Sequence, residues 1–378
     1  MQFFRPTTSF HLSGKLAIAW LLLVVSSAGS TARADEPFEQ FISGLRERGY
    51  YDTALTYLDD LSKRQGVPKA FADLIDLELG MTYRALGVAS RVPEDRDQAL
   101  SKAEEYLKKF AAEHADNPRA AFANAELGQL LFDRARSLIW DAEAPGNADK
   151  KKQLQDQART IIDTAKKIYQ AAFDQYDAQY KTFPKFIDEK EDPEGYRIRF
   201  EAQVKYLRAH YNLVRCTYER GQTFDMGTKE RNETLIQASK EFEAIHQAYR
   251  KSPIGLQSRL MMGKCFQEQN DINRALGIYN EMLGYDTTNP TVRQLASIAL
   301  QYRLICLNTE ERADYQLVIQ EAGTWLANKD NRSQQYSETG LGILWEKAIA
   351  EEKLAKDRTL EAVQKNAILR QALADAKQ

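Results

Sequence analysis

Two residue spacings recur along the chain and restrict the folds that it can adopt. In the first, a small residue is followed by a larger or apolar one four positions later, and by another three positions after that. Steps of four and three put these side chains on one stripe of an α-helix, where the small residue lets two helices cross closely. The five copies are Ala54-x3-Leu58-x2-Leu61, Ala99-x3-Ala103-x2-Tyr106, Ala158-x3-Ile162-x2-Ala165, Ala238-x3-Phe242-x2-Ile245 and Ala275-x3-Tyr279-x2-Met282.

The second spacing places a glycine directly after a large apolar residue and three positions before another. Its copies are Leu79-Gly80-x2-Tyr83, Leu127-Gly128-x2-Leu131, Met262-Gly263-x2-Phe266 and Leu341-Gly342-x2-Trp345. The first three of these copies are each followed by a copy of the other spacing. The sequence therefore predicts pairs of packed helices that repeat along the chain.

Composition supports helix rather than sheet. The 378 residues include only ten prolines and nineteen glycines, and they are rich in Ala, Gln, Glu, Lys, Leu and Arg. We therefore predict an all-α fold. Lys and Arg number 52 against 54 Asp and Glu, a net charge of −2, so no basic field is present to neutralise phosphates. Nucleic acid is not an expected partner.

The paired spacings resemble the tetratricopeptide repeat, whose pattern is W-x2-L-G-x2-Y, then A-x3-F, then P over about 34 residues. In the unit that fits best, the matching residues are Gly263, Phe266, Ala275, Tyr279 and Pro290. The resemblance implies a right-handed α-solenoid of about six or seven helix pairs over residues 35–378. An irregular helical bundle is the alternative, because the glycines are unevenly spaced and Val214 stands where one is expected.

Two segments depart from a plain repeat array. Apolar residues spaced by four and three predict one long helix over residues 147–183, which needs a partner helix along its seam. We expect residues 119–140 to supply that partner, which gives a long projecting hairpin over about 119–183; self-association through the seam is the alternative. A loop at about 181–197 follows, either packed down or offering contacts. A thin apolar stripe predicts a capping helix at about 359–376.

Residues 1–34 have the features of a cleaved secretory signal peptide. A basic start without acidic residues precedes the thirteen-residue apolar block Leu16–Ala28, and Ala32 and Ala34 supply the small side chains that a signal peptidase reads. We expect an exported protein, periplasmic or secreted, with no stable membrane insertion after cleavage. The alternative is a membrane tether formed by an uncleaved signal segment.

The three cysteines, Cys216, Cys265 and Cys306, occupy equivalent positions in the first helices of neighbouring helix pairs. Neighbouring helix axes lie about 8–10 Å apart, which exceeds the separation that a disulfide tolerates. We therefore expect small buried side chains, with a surface pair or a reactive thiol as the alternative.

Motifs that carry chemistry are absent from the sequence. The four histidines have no second ligand at metal-binding spacing, and no nucleophile elbow or phosphate-binding loop occurs. We therefore predict a non-enzymatic protein with no cofactor and no metal.

In tetratricopeptide repeats the first helix of each pair lines a concave binding surface. By resemblance, we predict a non-enzymatic scaffold that binds a protein or peptide in the cell envelope. The candidate partner-binding residues are Arg208, Tyr211, Arg215, Tyr218, Gln257, Lys264, Gln267 and Gln301. One alternative is a helical docking subunit of a larger envelope export or polysaccharide-handling complex. A second is a carbohydrate-binding or enzymatic protein with a pocket near residues 181–197.

Overall fold

The computed structural model describes residues 37–117, 119–356, 366–368 and 370–371. Up to residue 356 this part of the chain forms fourteen α-helices and two short 3-10 helices, with no β-strand, which confirms the all-α prediction. The α-helices are α1 Phe38–Glu47, α2 Tyr51–Lys63, α3 Lys69–Ala72, α4 Ile75–Ala89, α5 Pro93–Glu113, α6 Ala120–Glu143, α7 Lys151–Lys181, α8 Pro193–Gln222, α9 Lys229–Ala248, α10 Pro253–Glu268, α11 Ile272–Leu283, α12 Pro290–Leu307, α13 Tyr315–Ala327 and α14 Glu338–Ala355. The 3-10 helices are Pro145–Asn147 and Lys329–Gln334.

The helices pack in chain order as one contiguous array. From α4 onward each long helix packs against the next one, and α4 also contacts α6, α8 contacts α10, α10 contacts α12 and α12 contacts α14. Side-chain hydrogen bonds from Arg136 and Arg215 link α6 to α8. The even-numbered helices therefore form one continuous layer, and the inner surface of that layer holds the site described below.

Local sequence signals set several helix starts. Proline opens α8, α10 and α12, where its missing N–H is not needed by the helix. The residue before each proline caps the helix: the side chains of Asp192, Ser252 and Asn289 accept hydrogen bonds from backbone N–H groups two or three residues later, at 2.9–3.0 Å.

The recurring spacings carry the helix contacts. Fourteen of the fifteen residues in the first spacing are buried, and Tyr106 alone is half-buried. At the glycines, an added Cβ would lie 2.7 Å from Leu107 at Gly80 and 2.7 Å from Tyr279 at Gly263, and it would also collide with Tyr169 at Gly128. Each glycine thus lets the next helix approach closely, as the spacing predicts.

In the last copy of the glycine spacing, Gly342 packs closely against Gln301 of α12 as predicted, but the predicted burial of its two large apolar residues is wrong. Leu341 is 44% exposed and Trp345 is 59% exposed. On α14 the buried face is carried by Ile343, Ala350 and Ala355. Leu341 and Trp345 lie on another face of the helix, which leaves an aromatic side chain in solvent.

The long helix α7 packs along α6 and also along α8. Since α8 begins at Pro193, the connecting loop covers residues 182–192, which is shorter than the segment expected from the sequence. Arg199 ties the loop down by donating to the carbonyl oxygens of Pro184 and Lys185, each at 2.8 Å. Phe186 at the tip is nevertheless 77% exposed.

A buried histidine at the α7–α8 contact predicts a pH effect on stability. The His210 ring lies 4.9 Å from Phe173, and its Nδ1 is buried with no hydrogen-bond partner among the described residues. Burial lowers the pKa of His210, although the charges of Glu241 and Asp177 oppose the shift. Below the ordinary histidine pKa of about 6.5, the unfolded chain therefore takes up a proton before the folded chain does, and the fold loses stability.

We expect the urea concentration at the unfolding midpoint to be lower at about pH 5.5 than at about pH 7. The fall should be smaller in a His210→Phe variant, because phenylalanine has no proton to take up. Urea titrations of the wild type and of the variant, followed by far-UV circular dichroism at the two pH values, measure the change in midpoint for each protein. An identical fall in the two proteins would remove His210 as its source.

All three cysteines are buried and free, as the sequence predicts. Burial raises the pKa of the Cys216 thiol to about 12 and that of Cys306 to about 11, and it raises the pKa of Cys265 further. Since the thiolate is the reactive species, we expect no reaction with Ellman's reagent in the native protein and full reaction in denaturant. Rapid labelling of any cysteine in the native state would contradict this.

Two sequence predictions fall on other parts of the chain. The signal peptide over 1–34 lies outside the described residues, as does most of the capping helix at about 359–376. In the part of the chain that is described, no helix combines the length and apolarity needed to cross a membrane.

Candidate functional site

A cavity of about 470 Å³, here called the inner groove, lies where α4, α5, α6, α8 and α14 approach one another. Its lining includes Val88, Arg96, Arg136, Trp140, Glu219 and Glu338. Glu338 begins α14, whereas Val88 and Trp140 stand near the ends of α4 and α6. The array therefore curves until its last described long helix faces helices from its first half.

The floor of the inner groove is a network of charged side chains. The Glu219 side chain is only 3% exposed and pairs with Arg136 on α6. It also accepts a hydrogen bond from Arg215 at 3.2 Å, and Arg215 in turn donates to Gln129 at 2.8 Å. Burial acts to lower the pKa of Arg136, but the Glu219 carboxylate outweighs it and the pKa is raised. These pairs hold α6 and α8 together and fix the shape of the floor.

The rim of the inner groove is apolar and exposed. Trp140 is 71% exposed and Val88 is 60% exposed. Leu341 and Trp345 of α14 lie outside the cavity lining, but they follow Glu338 by three and seven residues and so extend its helical stripe. The only other described tryptophan, Trp325, is 9% exposed. An exposed tryptophan in a cavity lining marks a binding surface, because tryptophan is enriched among the residues that dominate interface energies.

Glu338 is the charge in this groove that the fold leaves free. No ion pair or hydrogen bond is recorded for its side chain within the described residues. The other charged residues named in the lining are paired: Arg136 with Glu219, and Arg96 with Asp141 at 3.4 Å. Because Glu338 is exposed and unpaired, it can accept a cationic group from a ligand without breaking a contact of the fold.

The structure places the residues predicted on α8 in three environments. Arg208 is exposed, and no ion pair is recorded for it among the described residues. Arg215 is held by Glu219 and Gln129, and its guanidinium lies 4.6 Å from the ring centroid of Phe132. Tyr211 and Tyr218 are each only 7% exposed, so neither side chain stands on an open surface as predicted, although Tyr218 does line the inner groove.

The two tyrosines are buried because α8 packs against both α9 and α10. Tyr211 stacks at an angle on Phe242 of α9, with 5.6 Å between ring centroids. Burial raises the pKa of both phenol groups. They belong to the core that α8, α9 and α10 share.

The residues predicted on α10 and α12 are half-buried and largely engaged in packing. Lys264 pairs with Glu268 at 3.0 Å and lies 4.9 Å from the ring centroid of Tyr302. Gln267 accepts a hydrogen bond from the Tyr279 hydroxyl at 2.8 Å. Gln301 packs against Gly342 of α14, where an added Cβ would collide with it. Gln257 is not one of the residues that line the inner groove.

Within the described residues, no cluster of three or more His, Cys, Asp and Glu side chains is placed to hold a metal ion. Three cavities lie at the inner groove, between α2, α4 and α5, and beside α13 and α14, and none of these three is lined by residues 181–197. Neither a protein-family model nor a curated protein matches this chain.

Proposed function

We propose that the chain is an exported, non-enzymatic scaffold, a right-handed tetratricopeptide-like α-solenoid that binds a protein or peptide partner in the cell envelope. One observation carries the binding role: the exposed Trp140 lines the inner groove above a floor fixed by paired charges, and the exposed Trp345 lies on the same helical stripe as Glu338, which also lines the groove. Exposing two indole rings to water costs stability that burial would provide, at roughly 25 cal/mol per Å² of apolar surface. A partner that buries the two indole rings recovers this stability.

Site-specific photocrosslinking tests this function. A benzophenone amino acid replaces Val88 in the inner groove, and in a matched control it replaces Ile236, which is 41% exposed on α9. We expect an envelope extract to yield a discrete adduct with the Val88 variant only. Adducts at Ile236 alone, or the same adducts at both positions, would show that the inner groove is not the binding surface.

A second function, docking into a larger envelope complex, is favoured by the tip of the α7–α8 hairpin. Phe186, Ile198 and Phe200 are 77%, 42% and 52% exposed there. Deleting α7 cannot test this function, because α7 packs on both α6 and α8 and the deletion would open the core. The paired change Phe186→Ser and Phe200→Ser leaves the core intact. Loss of complex assembly without loss of thermal stability would assign docking to the tip.

A further inference from the structure

The free side chains of the inner groove point to the chemistry of its ligand. We propose that the inner groove binds an extended partner peptide in which a lysine or arginine side chain lies next to an aliphatic one. This inference rests on the proposed function and adds the class of partner to it.

The first reason is charge. Glu338 lines the inner groove, is exposed and has no partner among the described residues, whereas Arg136 and Arg96 are already paired. A cationic side chain gains a pairing with Glu338 at no cost to the fold. An acidic side chain would have to compete with Glu219 for Arg136, and that carboxylate is buried and holds α6 to α8.

The second reason is the chemistry of the rim. Tryptophan faces attract lysine and arginine more strongly than other aromatic rings do. Trp140 shares the cavity lining with Glu338, and Trp345 stands about 10 Å further along α14, since each residue advances a helix by about 1.5 Å. A cation between an indole and a carboxylate is attracted by both. The same contact would repel a carboxylate.

The third reason is shape. The cavity of about 470 Å³ falls within the range of roughly 300–1,000 Å³ that ligand sites occupy. Val88 and Leu341 supply exposed aliphatic surface beside the charged positions, so an apolar side chain of the peptide has somewhere to pack. A peptide in extended form presents alternate side chains to opposite sides, which suits a groove with a charged floor and apolar walls.

Fluorescein-labelled synthetic peptides test the inference on the purified exported chain. Three probes are compared by anisotropy: three repeats of Gly-Leu-Lys-Ser, the same with Glu in place of Lys, and the same with Ser in place of Leu. We expect the Leu-Lys probe to bind at least about tenfold more tightly than either of the others, and to weaken as salt is raised. Equal binding of the Leu-Glu probe would overturn the proposal.

Variants then locate the binding. Trp140→Ala combined with Trp345→Ala should weaken the Leu-Lys probe about tenfold or more, and Glu338→Gln about threefold. The matched control is Glu230→Gln, since Glu230 is also exposed and unpaired in the first turn of a helix, α9. It should leave binding unchanged. All four side chains are exposed, so circular dichroism melting should be unaffected, and binding insensitive to the tryptophans would overturn the proposal.

The photocrosslinking and peptide-binding results together distinguish failure of this inference from failure of the proposed function. If the Val88 photocrosslinker captures a partner and the Leu-Lys probe does not bind, the partner class is wrong and the scaffold function stands. If neither experiment finds binding in the inner groove, both fail. An oligosaccharide that displaces the Leu-Lys probe or binds in its place would also overturn the peptide assignment.

Discussion

Replacing Arg231 with methionine lowers the unfolding free energy by about 3 kcal/mol, because the change removes one half of a buried ion pair. The Arg231 side chain is only 6% exposed and pairs with Glu268 of α10 at 2.6 Å. It also donates to the carbonyl oxygen of Phe224 at 3.1 Å and to the side chain of Gln222 at 2.9 Å. One side chain thus joins the end of α8 to α9 and α10. Methionine keeps most of the volume but supplies none of these bonds.

The expected loss of about 3 kcal/mol lies at the lower end of the range for breaking a buried ion pair. The reason is that Glu268 keeps a second partner, Lys264, at 3.0 Å. Burial acts to raise the pKa of Glu268, but the Lys264 and Arg231 charges outweigh it and the pKa is lowered. The wild-type pair therefore adds stability above the ordinary pKa of 4.5, and this contribution is lost as the pH falls below it.

The matched control is Lys229→Met on the same helix. Lys229 is 82% exposed and lies 3.7 Å from Glu233, so its loss should change the unfolding free energy by less than about 0.5 kcal/mol. Urea denaturation followed by circular dichroism measures both variants. Equal effects of the two substitutions would mean that Arg231 is not buried between the helices as described.

Alanine at Gly263 destabilises the protein by about 2 kcal/mol, whereas alanine at Gly277 stabilises it by about 0.5–1 kcal/mol. A Cβ at Gly263 would lie 2.7 Å from Cε1 of Tyr279 and 3.0 Å from Cγ2 of Ile278. The Tyr279 ring is fully buried and its hydroxyl is hydrogen-bonded to Gln267, so it has little room to move. A Cβ at Gly277 meets no atom within 4 Å.

Both glycines lie in the α10–α11 pair, so the opposite signs separate close packing from helix propensity. The measurement is the denaturation midpoint of the two variants beside the wild type. If both alanines stabilise, the two helices do not cross at Gly263 and the packing role of the recurring glycine is wrong. If both destabilise, the exposed position of Gly277 is wrong.

The sequence predicts the helices and their contacts to near neighbours well, because these depend on residues close together in the chain. The steps of four and three place Ala238, Phe242 and Ile245 on one stripe, and all three are buried. The equivalent positions of the three cysteines along the helix pairs predict that they are free and buried, and the structure confirms this.

The inner groove depends on contacts between residues far apart in the chain, and the sequence patterns do not include them. Trp345 fits the packing position of a first helix, yet it is exposed because α14 turns a different face to α12 and α13. Tyr211 and Tyr218 share a stripe with Arg208 and Arg215, but the two tyrosines are buried in the core that α8 shares with α9 and α10, whereas Arg208 is exposed. Periodicity shows which residues share a face, whereas the curvature of the array decides which faces meet solvent.

Glu338 and Trp140 show the same limit at the site itself. Neither residue belongs to a recognisable motif, and they line the same cavity only because the array curves. One signal is present in the sequence: Trp140 lies outside the buried stripe of α6, at a position where an amphipathic helix carries a polar residue. An exposed tryptophan of this kind is a reason to look for a binding surface.

Hydroxyl-radical footprinting with mass spectrometry tests the central claim most directly, because it reads the exposure of each tryptophan in the unmodified protein. If the chain is an open array that works through its inner groove, Trp140 and Trp345 oxidise rapidly and Trp325 slowly, and a bound partner or Leu-Lys peptide protects the first two. If Trp140 and Trp345 are already as protected as Trp325 in the free protein, the helices form a closed bundle and the inner groove does not exist.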